Sequence, residues 1–234
     1  MGSGGRKSAK GGVSNTGGSA NLTFNDMDTT AQSNMLNRQR QLSTAASSKA
    51  IANYIDPTCY NGGNFNHAQN LNNAMQTGRP LTKKQQATKA GLESIMTPLD
   101  DNYKLYRGDH DAMLTSIGIN MSVLNSTRSI ATDSDLASAL VGQSWINKGF
   151  TSTSHTKGKS PFLPGGQASG GREVVLNINA KKGTKAALIQ RSQAETLLDT
   201  NTKFTITGAH YTGAIAYPRL GGAKRQIIID VTAE

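Results

Sequence analysis

The chain has 234 residues, of which 35% are hydrophobic and 5% aromatic, and its formal net charge is +10. This apolar content is low for a chain that packs throughout, so part of it is expected to stay loose. The positive charge favours acidic partners such as nucleic acid, an anionic membrane surface or a dinucleotide, without selecting among them. The single cysteine, Cys59, excludes an intrachain disulfide and a zinc site built on thiolates.

The first 45 residues differ in composition from the rest of the chain. They are rich in Gly, Ser, Asn, Thr and Gln and carry several basic residues, which predicts a flexible basic tail. Such a tail is either an arm for nucleic acid, a partner or packaging, or a solvated linker. Residues 46–234 are expected to form the folded domain. No apolar run approaches the roughly 20 residues that span a bilayer, and no secretory signal is recognisable, so a soluble protein is expected.

Helical periodicity dominates the first half of the predicted domain. Apolar residues at helical spacing, closed by Pro- or Gly-containing turns, predict three helices there and two shorter ones further on. The predicted ranges are Ala45–Tyr54, Phe65–Met75, Lys83–Met96, Met113–Ile119 and Asp133–Leu140.

The second half has the pattern of strands separated by turns. The predicted strands are Tyr103–Arg107, Trp145–Ser154, Glu173–Asn179, Ala186–Gln190, Glu195–Leu198, Lys203–Thr207, Ala214–Tyr217 and Arg225–Val231. A helical lobe followed by a run of strands predicts an α+β fold with a mainly antiparallel sheet.

Two segments at predicted strand ends carry groups that could bind a ligand. Leu105-Tyr106-Arg107-Gly108 places a cation beside a backbone that a ligand can approach closely. In Gly149–Ser154, Phe and hydroxyl residues alternate, so one face of the strand can join the core while hydroxyl groups face a cleft. Such hydroxyl groups can orient a carboxylate by hydrogen bonding. Taken singly, these are also typical of a surface arginine at a turn and of an ordinary Thr/Ser-rich strand.

A third segment supplies the carboxylate. Ser192-Gln193-Ala194-Glu195 leads into the strand Thr196-Leu197-Leu198. In extended backbone, residues two apart share a face, so Gln193 and Glu195 are expected to project together. A glutamate backed by apolar residues requires hydrogen-bonding partners.

In this order, the three segments resemble the ADP-ribosyltransferase exoenzyme family. The family pattern is a strand-end Tyr-Arg-Gly, then Phe-x-Ser-Thr-Ser, then Gln/Glu-x-Glu before a Leu-Leu strand. The resemblance covers roughly residues 45–232 and extends to Val174-Val-Leu-Asn-Ile, Lys182-Gly-Thr and Thr202-Lys-Phe-Thr-Ile-Thr. It implies two packed, mainly antiparallel sheets around an NAD cleft, NAD+ as co-substrate without a metal, and mono-ADP-ribosyltransferase activity.

The resemblance also implies roles for individual residues. Arg107 would bind the diphosphate of NAD+, and Gly108 would present backbone groups to the nicotinamide amide. Ser152 would orient Glu195, which would bind the 2′-hydroxyl of the nicotinamide ribose and stabilise an oxocarbenium-like transition state. The remaining expected cofactor contacts are Tyr106, Thr153 and, by stacking on nicotinamide, Phe162.

The residue at position 193 bears on the acceptor. In the family a glutamate there accompanies arginine modification, whereas a glutamine accompanies other acceptors, including asparagine and, in DNA-modifying relatives, guanine. Gln193 therefore favours a non-arginine acceptor. The absence of an aromatic residue in Ile189-Gln190-Arg191-Ser192 distinguishes the chain from Rho-modifying members and argues against a Rho-type target.

Other functions stay open at this point. The expected partner is a host macromolecule, a protein first and a nucleic acid second, and the enzyme is expected to be a monomer. The rival interpretations are an NAD+ glycohydrolase, a DNA- or RNA-directed transferase, and a packaged nucleic-acid-associated protein with a vestigial site. Delivery into a host cytoplasm by a secretion system or a phage is compatible with the resemblance, but the residues do not decide it.

Overall fold

Five helices lie in the part of the chain that the computed structural model describes, residues 22–57, 66–109, 118, 132–156, 174–190, 194–216 and 224–234. They are α1 (Thr29–Leu42), α2 (Ala45–Ile55), α3 (His67–Thr77), α4 (Lys83–Glu93) and α5 (Asp133–Leu140). Each begins with a side chain that accepts a hydrogen bond from a backbone N–H of the first turn, which would otherwise lack a partner. The capping residues are Asp28, Thr44, Asn66, Thr82 and Thr132.

The strands form a mixed, mostly antiparallel sheet. They are β1 (Asn25–Asp26), β2 (Thr97–Pro98), β3 (Tyr103–Asp109), β4 (Ser144–Asn147), β5 (Thr151–Ser154), β6 (Val174–Ala180), β7 (Lys185–Gln190), β8 (Glu195–Leu198), β9 (Thr202–Ala216) and β10 (Lys224–Ala233). Their order is β2-β7-β8-β5-β3-β6-β10-β9-β4, with β1 beside β3. The β6–β10 and β1–β3 pairs are parallel. The predicted α+β class is confirmed.

The pairing between strands is shortest in the middle of the sheet, between β5 and β3. β5 pairs with β8 at four consecutive positions, but among the described residues it meets β3 at one, Tyr106 opposite Ser154. The strands β2-β7-β8-β5 and β3-β6-β10-β9-β4 therefore behave as two sheets that share a short junction. Two sheets that diverge from a junction leave an opening beside it, where side chains from both are accessible to a ligand.

Alternation along the strands divides the core in two. Ala186 and Leu188 of β7 belong to the larger apolar cluster, together with residues of β3, β6, β9 and β10. Their neighbours Ala187 and Ile189 point to the other face and belong to a second cluster with helices α2, α3 and α4. β7 is thus buried on both faces, which places the helical lobe directly against the strands that lead to Glu195.

The prediction of a flexible tail as far as residue 45 is wrong for the described part of that segment. Helix α1 packs on the sheet, with Met35 1% exposed and Gln39 4% exposed. The Gln39 side-chain amide accepts a hydrogen bond from Leu188 N at 3.0 Å and donates to Leu188 O at 3.4 Å, as a neighbouring strand would. A prediction from amino-acid composition cannot detect that a polar side chain such as that of Gln39 takes the place of a neighbouring strand. Residues 1–21 lie outside the described part.

Two strand predictions also differ from the structure. Trp145–Ser154 contains two strands, because β4 pairs with β9 at one edge of the sheet whereas β5 pairs with β8 in its interior. Lys203–Thr207 and Ala214–Tyr217 belong to the continuous strand β9, up to Ala216. The intervening Gly208 is typical of a turn, but here it allows the Asp230 side chain to approach the strand closely. A Cβ at position 208 would lie 2.8 Å from Asp230 Oδ2.

The helix predictions differ from the structure in smaller ways. α4 ends at Glu93 rather than Met96. The predicted helix Met113–Ile119 lies outside the described residues except for Gly118. Among the helices that are described, none is long and apolar enough to cross a membrane.

Candidate active site

The three segments singled out in the sequence lie on three neighbouring strands. Arg107 is on β3, Ser152 on β5 and Glu195 at the start of β8, and these strands are adjacent in the order β8-β5-β3. Ser154 of β5 is opposite both Tyr106 and Glu195, so β5 links the other two strands. Residues 88 positions apart in the chain (195 − 107) therefore meet at the junction of the two sheets.

Arg107 is held by two contacts. Its Nε donates to Asp109 Oδ2 at 3.0 Å, which forms an ion pair along the strand. Its Nη1 donates to the backbone carbonyl of Ser152 at 2.9 Å. Residues two apart in a strand share a face, which explains why Asp109 lies beside Arg107. The guanidinium is thereby fixed where β3 and β5 separate.

Glu195 is a buried carboxyl group, with 9% of its surface exposed. Burial raises its pKa above the ordinary value, while a hydrogen bond from Ser152 and the positive charge of Arg107 lower it. A buried carboxylate is unfavourable unless it is paired or hydrogen-bonded. Ser152 and Arg107 thus counteract the effect of burial and favour the ionised form of the side chain.

The residue before Glu195 has an unusual backbone conformation. Ala194 has φ +52°, in the left-handed region that non-glycine residues rarely adopt. Its carbonyl accepts a hydrogen bond from His155 N at 3.0 Å, and the buried His155 ring lies 3.0 Å from Thr196 Oγ1. The extended backbone assumed in predicting that Gln193 and Glu195 share a face is not present at Ala194. Gln193 itself lies outside the described residues.

A cavity of about 540 Å³ opens beside Arg107, a size typical of small-molecule sites. Arg107 and Asp109 contribute charge to its wall, and Trp145 contributes an aromatic ring stacked on Phe204 at a centroid distance of 5.1 Å. The remaining lining residues are Asn73, Gln76, Thr77, Ile146, Asn147, Thr151 and Leu176. Glu195 and Ser152 do not belong to this lining.

The structure brings some predicted site residues together and places others elsewhere. Arg107, Ser152 and Glu195 converge, with Gly108 buried next to Arg107 on β3. Tyr106, expected to contact NAD+, packs against Val175 away from the cavity lining.

Thr153 is also committed to the sheet. It is 3% exposed, and its hydroxyl donates to Thr196 O at 2.6 Å. Alternation along β5 turns Thr153 away from the face that carries Ser152. The cofactor contacts expected of Tyr106 and Thr153 stay predictions. Phe162 lies outside the described residues.

Four residues of the site were not anticipated from the sequence. Asp109 had a recoverable signal, since it lies two positions after Arg107, just past the end of the predicted strand Tyr103–Arg107. Tyr54 and Asn72 come from helices α2 and α3 and reach Ser152 through hydrogen bonds. Trp145 reaches the cavity from β4, which the sheet order places far from β5. For Tyr54, Asn72 and Trp145, the local sequence pattern gave no indication that the side chain would reach the site.

Comparison with known proteins bears on this arrangement. The family model described as "ADP-ribosyltransferase exoenzyme" matches residues 24–233. The chain belongs to this family. It is an NAD+-dependent mono-ADP-ribosyltransferase with toxin-like relatives, and NAD+ is its substrate. Comparison of the sequence with curated proteins gives no significant match.

Solved structures share the exoenzyme fold. C3stau2 from S. aureus, solved with NAD, is 22% identical with a TM-score of 0.63, covering 91% of this chain and 99% of that one. The Clostridium limosum C3 exoenzyme is 17% identical with a TM-score of 0.62, covering 91% and 98%. The toxin Plx2a from Paenibacillus larvae is 18% identical with a TM-score of 0.59, covering 87% and 92%. At these identities the likeness concerns the fold.

Over the described ranges, no three His, Cys, Asp or Glu residues come together as a metal site would require.

Proposed function

We propose that this exoenzyme breaks the bond between nicotinamide and ribose in NAD+ and transfers ADP-ribose to a protein side chain other than arginine. The observation behind the proposal is that Glu195 is buried at the start of β8, close to the Ser152 hydroxyl and within the electrostatic reach of Arg107. A carboxylate held in this way in a desolvated site suits the stabilisation of a cationic transition state.

Arg107 would bind the diphosphate of NAD+. The guanidinium is planar and carries five N–H donors, of which two are used on Asp109 and on the Ser152 carbonyl. The remaining donors are suited to phosphate oxygens. The cavity beside it offers the stacked ring of Trp145 and amide side chains from α3, which suit a nucleobase and ribose hydroxyls.

Glu195 would act on the ribose. As the bond from C1′ to the nicotinamide nitrogen breaks, its electron pair leaves with nicotinamide and positive charge develops on the ribose ring. The Glu195 carboxylate would accept a hydrogen bond from the 2′-hydroxyl and stabilise that charge, strongly because little water shares the site. A nitrogen or oxygen of the acceptor then bonds to C1′ and loses its proton.

The type of acceptor is proposed from position 193. Gln193 occupies the position where, in the family pattern, glutamate accompanies arginine modification. An amide has no charge with which to attract a guanidinium, and it both donates and accepts hydrogen bonds. It is therefore suited to a neutral amide side chain such as asparagine.

The test is transfer of label from ³²P-NAD+ to proteins of a cell lysate, with mass-spectrometric identification of the modified residue. The Glu195→Gln variant is expected to lose about 10²–10³-fold or more in rate. Glu234→Gln is the matched control, since that exposed carboxylate forms surface ion pairs with Lys181 and Lys203 and should be dispensable.

Each other result would reject part of the proposal. Free ADP-ribose and nicotinamide without labelled protein would support a glycohydrolase. Label that nuclease treatment removes would support a nucleic-acid acceptor, and label on arginine would reject the role given to Gln193. Full activity of the Glu195→Gln variant would reject the site.

A further inference from the structure

Two residues of the helical lobe reach Ser152 through hydrogen bonds. Tyr54 of α2 is 4% exposed, and its hydroxyl lies 3.4 Å from Ser152 Oγ. Asn72 of α3 donates from Nδ2 to the same Tyr54 hydroxyl at 2.9 Å. The Tyr54–Ser152 separation is long for an O–H···O bond, as is common for catalytic hydrogen bonds before substrate binds.

The orientation of the Asn72 amide is set by a third contact. The backbone N–H of Phe150 donates to Asn72 Oδ1 at 2.9 Å. A backbone N–H is only a donor, so the amide oxygen faces Phe150 and the NH₂ group faces Tyr54. The approach depends on Gly149, because a Cβ there would lie 2.9 Å from Asn72 Oδ1.

This orientation fixes the direction of the hydrogen bonds that follow. The Tyr54 hydroxyl accepts from Asn72, so its single proton is available for Ser152 Oγ. Burial raises the pKa of Tyr54, which keeps that proton in place at neutral pH. Once Ser152 Oγ accepts from Tyr54, its own proton is available for the Glu195 carboxylate.

We propose that Asn72 and Tyr54 are positioning residues that direct the Ser152 hydroxyl proton toward Glu195. The proposal rests on the proposed roles of Ser152 and Glu195. The polar groups of both helix residues are occupied by Ser152, by Phe150 and by each other, so neither is expected to contact the substrate. Their effect is to hold the carboxylate in one rotamer, with an oxygen free for the ribose hydroxyl.

The first test is Tyr54→Phe in the full chain, assayed as nicotinamide release from NAD+ in the presence of a cell lysate. Phenylalanine keeps the ring and its edge-on packing against Phe150 at 5.9 Å but lacks the hydroxyl. Losing the hydrogen bond should lower kcat about 10-fold, with KM for NAD+ little changed. Tyr103→Phe is the matched control, since its buried hydroxyl donates to Asp100 away from the site, and should retain full kcat.

The second test asks whether the effect passes through Ser152. The Ser152→Ala variant and the double variant Tyr54→Phe/Ser152→Ala should have the same kcat, because the tyrosine has no target once the serine hydroxyl is gone. A double variant about 10-fold slower than Ser152→Ala would overturn the proposal.

The third test reverses the direction of donation. Asn72→Asp still accepts from Phe150 but cannot donate to Tyr54, so the tyrosine proton turns toward position 72 and away from Ser152. We expect kcat to fall at least as far as in Tyr54→Phe. In the Tyr54→Phe background the same change should add nothing, whereas a further loss would indicate a direct charge effect and reject the assignment.

The Glu195→Gln variant separates this inference from the proposed function. If that variant retains the wild-type rate, the site itself is wrongly assigned. If it is inactive while Tyr54→Phe and Asn72→Asp, checked for folding by thermal unfolding, retain wild-type kcat, only the positioning role is overturned.

Discussion

Arg107 Nη1 donates a 2.9 Å hydrogen bond to the backbone carbonyl of Ser152 across the gap between β3 and β5. In a continuous antiparallel pair, a backbone N–H would occupy this position. The two strands meet at Tyr106 and Ser154, so beyond that point a side chain replaces the missing partner. The divergence of the sheets therefore places a cation within the electrostatic reach of Glu195.

Arg107→Lys should be strongly impaired, although the charge is kept. A lysine ammonium lacks the planar fork that serves Asp109, the Ser152 carbonyl and a phosphate together. Hydrogen bonds to charged groups contribute about 1.5–3 kcal/mol each, so kcat/KM for NAD+ should fall about 10–100-fold. Steady-state kinetics measure this, and Lys104→Arg, an exposed neighbour on β3, is the control. Unchanged kcat/KM in Arg107→Lys would contradict the role given to the guanidinium.

Trp145 should report NAD+ binding by fluorescence. It is the single tryptophan of the sequence, lines the cavity and stacks on Phe204. A nucleobase that binds against the ring should quench its emission. Titration with NAD+ should give a saturable change in the wild type and a much weaker response in Arg107→Ala. An equal response in both proteins would reject the role of Arg107 in NAD+ binding, and no response in the wild type would reject the cavity as the binding site.

Ala194 should tolerate glycine and reject a β-branched residue. At φ +52° glycine is unstrained, so Ala194→Gly should be neutral or stabilising by up to about 1 kcal/mol. Ala194→Val adds two methyl groups at a 5% exposed position and should destabilise by about 1–3 kcal/mol. Denaturant unfolding tests both changes.

Ala209→Gly provides the comparison for Ala194→Gly. Ala209 is also buried, but it lies in β9 opposite Ile229, where glycine should cost about 0.5–1 kcal/mol. If both alanine-to-glycine changes destabilise equally, the left-handed conformation of Ala194 does not matter.

Glu195→Gln should be more stable than the wild type near neutral pH. Burial raises the folded-state pKa of Glu195, so above the ordinary value of 4.5 the folded state retains a proton that the unfolded state has lost. Stability contributed by this group therefore falls as pH rises through that window. The glutamine variant avoids the cost and should gain about 1 kcal/mol, or about 3 °C in Tm.

The pH dependence is the informative part of that comparison. The stability difference between Glu195→Gln and wild type should shrink as pH falls below 4.5, where the carboxyl is protonated in both states. A difference that stays constant with pH would mean that the gain comes from packing rather than from the buried charge.

The sequence by itself predicted the fold class, most element positions and the residues that meet at the junction. Apolar alternation and turn residues act locally, which is why β3, β8 and α5 were placed within a few residues of their ends. The ordered motifs indicated the family, which the match over residues 24–233 shows.

Tertiary structure alone decided the contacts between distant segments. Gln39 looked like tail composition, yet its amide completes the edge of β7. Tyr106 and Thr153 belonged to the right motifs, but in the folded chain Tyr106 packs against Val175 and the Thr153 hydroxyl donates to the Thr196 carbonyl. Asn72 and Tyr54 reach Ser152 from helices that lie far from it in the sequence. A hydrogen bond depends on the distance and direction between two groups in space, which sequence spacing does not give. That geometry exists only after the strands have paired and the helices have packed on them.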